Sequence, residues 1–89
     1  MNTPRPEPDR ALYAISVAAE LVGLTPAALR LYEDKGLLAP QRSAGGARRY
    51  SDNDIARLRR IAELADQGIN LAGIRHILDL HDRVPPEEA

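Results

Sequence analysis

The chain has 89 residues, enough for one small domain and too few for two separate cores. It contains no cysteine, which excludes disulfides, thiolate catalysis and cysteine-based metal sites, and no run approaches the ~18 apolar residues of a membrane helix. The net charge of −1 hides a division: between Thr25 and Arg60 eight basic residues stand against four acidic ones, a local +4 that the acidic remainder cancels.

Residues 1–11 hold Pro4, Pro6 and Pro8 among charges and little to bury, so a disordered N-terminal arm is expected there. A folded domain is expected over residues 12–80, and residues 81–89 read as a flexible acidic tail that contains Pro85, Pro86, Glu87 and Glu88. Within the domain, Ser16 is placed to cap a first helix through Ala18, Ala19 and Leu21, with Gly23 as its left-handed stop. Thr25 followed by Pro26 predicts an N-cap with proline at the first helical position, where the missing N–H costs nothing. That second helix should run to about Lys35 and stop at Gly36. Between Leu37 and Tyr50, Pro40, Ser43, Gly45 and Gly46 forbid a helix. Short flanks at Gln41-Arg42 and Arg48–Tyr50 predict a hairpin with the two glycines at its tip. Ser51 and Asp54 form a variant capping box for a third helix whose Ile55, Leu58, Ile61, Ala62 and Ala65 share a stripe. Gly68 ends it, and Asn70 caps a fourth helix from Leu71 to about Leu80 with Leu71, Ile74, Ile77 and Leu78 on one face. The expected fold is mostly α: a winged helix-turn-helix of four short helices and a small two-stranded β-hairpin wing.

This arrangement points to double-stranded DNA. Two short helices joined by Val22-Gly23-Leu24 have the spacing of a helix-turn-helix, whose second helix enters the major groove. Arg30 projects from that helix, while Thr25 and the free N–H groups of the helix N-terminus suit a phosphate. On the wing, strand alternation sends Arg48 and Arg49 to opposite faces, one toward the backbone and the other toward an internal partner. Tyr50 offers a hydroxyl to a phosphate and a ring to packing. A local basic face is what phosphate binding needs, because the field follows the position of the charges.

The order Leu29-Arg30-Leu31-Tyr32-Glu33, Gly36-Leu37-Leu38, Pro40, Arg42 and Gly46-Ala47-Arg48-Arg49-Tyr50 resembles the DNA-binding domain of the MerR family, over nearly all of residues 12–80. The segment Gly68 to Ile74 and the Gly45-Gly46 wing are similar to its heat-shock repressor branch. The resemblance implies contacts to DNA from Arg30 and from Tyr32 through its hydroxyl, and from the wing by Arg42, Arg48, Arg49 and Tyr50, with Thr25 and Gly46 at the same surface. Leu31 and Ala47 stand where the family pattern has a second tyrosine and a wing aromatic, and Pro26 and Ala27 offer only apolar contact early in the recognition helix.

The expected function is a sequence-specific transcriptional regulator, a repressor, without an effector-sensing domain. An architectural or excisionase-like DNA-bending protein is the alternative, and a protein-interaction module working through the acidic tail is a third reading. No catalytic constellation is visible, so no enzyme is expected. No cofactor or metal is expected either: His76 and His81 are five apart and read as surface residues. The expected partners are DNA and further copies of the chain, as a homodimer or side by side on DNA, with a chaperone or RNA polymerase contact carried as a further possibility. The expected location is the cytoplasm, on the nucleoid.

Overall fold

A computed structural model describes residues 7–83. Its elements run β1 (Tyr13–Ala14), α1 (Ile15–Val22), α2 (Pro26–Asp34), β2 (Gln41–Arg42), β3 (Arg48–Tyr50), α3 (Asp52–Asp66) and α4 (Leu71–Arg83). The four helices and the β2–β3 hairpin fall where the sequence places them. A third strand does not come from the sequence reading: β1 pairs antiparallel with β3, giving the order β1-β3-β2. Two residues are too short a run to display alternation, so β1 is visible only through its partner.

Helix starts follow local chemistry, with one correction. Thr25 Oγ1 accepts from Ala28 N at 3.1 Å, and Pro26 occupies the first turn of α2. Ser51 and Asp54 make a reciprocal capping box at α3, with Ser51 N donating to Asp54 Oδ2 and Asp54 N donating to Ser51 Oγ. Asn70 Oδ1 accepts from Gly73 N at 2.8 Å at the start of α4. Ser16, by contrast, caps nothing. It lies inside α1, which begins directly from β1 with Ala14 at the N-cap and no side-chain acceptor. Strand pairing of Tyr13 with Tyr50 and Ala14 with Arg49 fixes the entry into that helix instead. Gly23 adopts φ 70° at the end of α1, the left-handed conformation that lets its N–H return to Glu20 O.

Two further details differ from the sequence reading. On α3, Ala65 is exposed and Leu64 is buried in its place, because the chain reverses into α4 on that side and Ile69 N donates to Leu64 O. Helix α4 continues to Arg83, past Leu80. Glu7–Ala11, assigned to the arm, include a turn in which Arg10 N donates to Glu7 O; Pro8 O accepts from Asn53 N and Asp9 O from the Gln41 amide. Residues 1–6 and 84–89, which hold the rest of the expected arm and most of the tail, lie outside the described residues.

The core lies between the helix-turn-helix pair and the α3–α4 pair. Ala18, Leu29, Leu37, Tyr50, Leu58, Ile61 and Ile74 are completely buried there. Small Ala18 and Ala19 let α1 approach its neighbours closely, and Leu29 anchors α2. Burying a leucine-sized side chain contributes about 1.5–3 kcal/mol, so a dozen such residues give this fold its main driving force. No helix among the described residues is long and apolar enough by itself to cross a membrane.

Candidate nucleic-acid interface

Helices α1 and α2 meet at 100° across the short turn at Gly23 and Leu24, within the range that defines a helix-turn-helix. The buried side of α2 carries Leu29 and Tyr32. Its opposite side exposes Ala27, Arg30, Leu31 and Asp34, and Thr25 is exposed at its N-terminus. Arg30 and Glu33 are three residues apart, so they stand on neighbouring parts of one helix face.

The wing leans on that face through Glu33. Glu33 Oε1 accepts from Arg48 Nε, and Glu33 Oε2 accepts from Arg42 Nη2 at 3.2 Å. Arg42 and Arg48 are register partners on β2 and β3, so they share one face of the sheet. Arg42 Nη1 also donates to Gly46 O at 3.1 Å, tying the strand to the wing tip. There Gly46 N donates to Ser43 O, and Gly46 holds φ 86°, a tight turn closed by a left-handed glycine. Gly45 has no such requirement. The hydrogen bond to Glu33 raises the Arg48 pKa above its ordinary value, so its charge is permanent.

Alternation divides the two adjacent arginines as the sequence reading expects. Arg48 turns toward Glu33, whereas Arg49 belongs to the opposite sheet face, in register with Ala14 and Gln41. Arg49 is half-buried and has no ion-pair partner among the described residues. Thr25, Arg30, Arg42, Gly46 and Arg48 therefore come together around α2 and the wing, with Arg49 behind them.

The two tyrosines expected at the interface, Tyr32 and Tyr50, point inward. Tyr50 is completely buried, and its hydroxyl has no hydrogen-bond partner among the described residues. The expectation that Tyr50 offers its hydroxyl to a phosphate is therefore corrected: β3 alternation carries its side chain into the core with the ring. Burial pushes the phenol up in pKa, and the nearby positive charges of Arg48 and Arg30 offset this in part. Tyr32 is 9% exposed and is a core residue of α2.

Sequence reasoning missed Glu33 as a functional position. Its partners are 9 and 15 residues away, and no local pattern pairs them. It also counted Arg57 in the basic face, but Arg57 Nε donates to Leu37 O and Nη1 to Asp82 across α3 and α4. His76 and His81 are exposed, and no three His, Asp or Glu side chains among the described residues form a metal-holding cluster.

A perpendicular helix pair, a recognition helix with an exposed arginine and a wing clasped to that helix define a winged helix-turn-helix domain. The model of the MerR HTH family of regulatory proteins matches residues 13–80, and the chain belongs to that family. It is 50% identical over 82 residues to the putative heat shock protein HspR of Streptomyces coelicolor, covering 91% of this chain and 54% of that protein. It is 39% identical over 66 residues to the HTH-type transcriptional regulator TnrA of Bacillus subtilis, covering 74% and 60% of the two chains. Among solved structures it matches HiNmlR, a MerR-family regulator lacking the sensor domain and bound to promoter DNA. That match has a TM-score of 0.69 and 31% identity, and covers 75% of this chain and 54% of the other. The transcription regulator PbrR691 of Ralstonia metallidurans, in complex with lead(II), matches with a TM-score of 0.76 and 32% identity over 81% and 57%. The chain thus spans little more than half the length of these relatives.

Proposed function

We propose that this chain is the DNA-binding part of a transcriptional repressor that reads a double-stranded operator with two or more copies, and that it has no enzymatic role. The observation that carries this reading is the placement of Arg30 on the solvent face of α2, beside a wing whose two arginines are held against the same helix. In this reading α2 enters the major groove. Arg30 reads a guanine edge there, a pairing worth roughly 1–3 kcal/mol of discrimination. Thr25 and the α2 N-terminus meet one phosphate, while Arg42, Arg48 and the backbone at Gly46 meet the flanking strand. Arg49 reaches the duplex from the other side of the wing. Tyr32 supports the surface from within α2. The relative bound to promoter DNA, which shares this fold, supports the same mode of docking. Repression is proposed from the likeness to the heat-shock repressor branch. The working location is the cytoplasm, on the nucleoid.

One module of this size covers less duplex than tight specific binding requires, so further copies share the operator. The test is selection of bound duplexes from a random pool at two potassium chloride concentrations. Enrichment of a defined site with repeated half-sites, and transcription reduced from a promoter that carries it, are the expected results. Equal affinity for all sequences at both salt concentrations would overturn the reading and favour an architectural role.

A further inference from the structure

Glu33 is an acidic residue within an otherwise cationic surface. By Coulomb's law alone a carboxylate there opposes a phosphate backbone. Its geometry indicates a different role. The Glu33 side chain is only 18% exposed, and each of its oxygens accepts from a different wing arginine. The arginines come from both strands of the hairpin, opposite one another in the ladder, and Arg42 continues the connection to the wing tip at Gly46. One carboxylate on the last turn of α2 thus links the recognition helix to the whole wing.

Neither guanidinium is used up by this arrangement. Arg48 commits Nε to Glu33 and retains its two η nitrogens, and Arg42 retains Nε. An arginine that rotates freely loses that freedom when it settles on a phosphate; one already held by a carboxylate has lost it on folding. We propose that Glu33 is a positioning residue for DNA recognition, which pre-orients Arg42 and Arg48 and sets the wing at a fixed distance from α2. This rests on the DNA-binding reading above. It reverses the sign expected from charge: neutralising Glu33 weakens binding to the operator.

The test uses the full chain with Glu33→Gln, the selected operator and a random duplex of the same length, each titrated over a range of potassium chloride. The expected fall in operator affinity is about tenfold, within the range of one misplaced bidentate base pairing. Random-duplex affinity should not fall, so the specificity ratio narrows. The salt slope for the operator should become shallower by about 0.9 for each phosphate that the wing no longer neutralises. Tighter binding to both duplexes at an unchanged ratio, with a steeper slope, would overturn the proposal and leave Glu33 a plain repulsive charge. If Glu33→Gln fails to fold, Arg48→Lys decides the matter: it keeps the charge but lacks the fork that serves carboxylate and phosphate together. An unchanged specificity ratio in Arg48→Lys would be equally fatal. A wild-type chain without sequence preference removes the functional reading and this inference together, whereas a wild-type preference that both variants retain removes only the inference.

Discussion

The Tyr50 ring fills the centre of the core, while its hydroxyl sits among Arg48, Glu33, Asp54 and Arg30 without a hydrogen-bond partner among the described residues. A buried, unpaired hydroxyl costs free energy that a phenylalanine would not. Tyr50→Phe should therefore leave stability at neutral pH unchanged or raise it by about 1 kcal/mol, and DNA affinity should not move. Its clearest effect belongs at alkaline pH. Burial raises the Tyr50 pKa, so the folded chain keeps a proton that the unfolded chain releases. That contribution is complete below the ordinary tyrosine pKa and is lost as pH rises through the folded value. Thermal melts of Tyr50→Phe should show a flatter alkaline limb, and a limb as steep as in wild type would refute the assignment. The sequence could not have told this, because tyrosine has an apolar ring and a polar tip. Only the β3 register, set by β1 on one side and β2 on the other, decides which end governs its position.

Element boundaries were most legible where a side chain caps its own helix. Thr25, Ser51 and Asn70 each accept from a backbone N–H three residues ahead, a relation wholly contained in the local sequence. Ser16 has the same chemistry but the wrong place, because a strand two residues long feeds α1 directly and moves its start to Ile15. The hairpin was readable for a similar reason. Proline, serine and glycine forbid a helix, and Gly46 needs a left-handed conformation that costs it little. The ion pairs that orient the wing are long-range and leave no local trace. At the α3 boundary Ser51 is 5% exposed and takes part in both bonds of the capping box. Ser51→Ala should cost about 1 kcal/mol, a fall in Tm of roughly 4–8 °C for a domain of this size. Calorimetry of the pair with Ser51→Asp, which restores an acceptor, would separate the cap from a simple packing loss; no recovery in Ser51→Asp would count against the cap.

Over the whole molecule, the local +4 between Thr25 and Arg60 is divided between two tasks. Arg57 works inward: it joins α3 to the carbonyl of buried Leu37 and to Asp82 on α4, so it holds the last helix against the loop that precedes the wing. Arg60 pairs with Glu63 on its own helix, an exposed pair that contributes little. Arg30 has no ion-pair or hydrogen-bond partner among the described residues and lies on the exposed side of α2. Two substitutions that each remove one positive charge should therefore have opposite consequences. Arg57→Gln should destabilise the fold by roughly 1–2 kcal/mol, since it strands a buried carbonyl and loosens a partly exposed ion pair; the salt slope of operator binding should stay as in wild type. Arg30→Gln should leave the unfolding midpoint within about 0.5 kcal/mol of wild type, while operator discrimination falls by the roughly 1–3 kcal/mol of a bidentate base pairing. Denaturant titrations and salt-dependent binding on the same two proteins measure both quantities. If the two variants behaved alike in either experiment, charge would be acting as a sum over the surface. A separation in both would mean that position, fixed by the packing of α2, α3 and α4, determines which arginines serve the fold and which serve recognition.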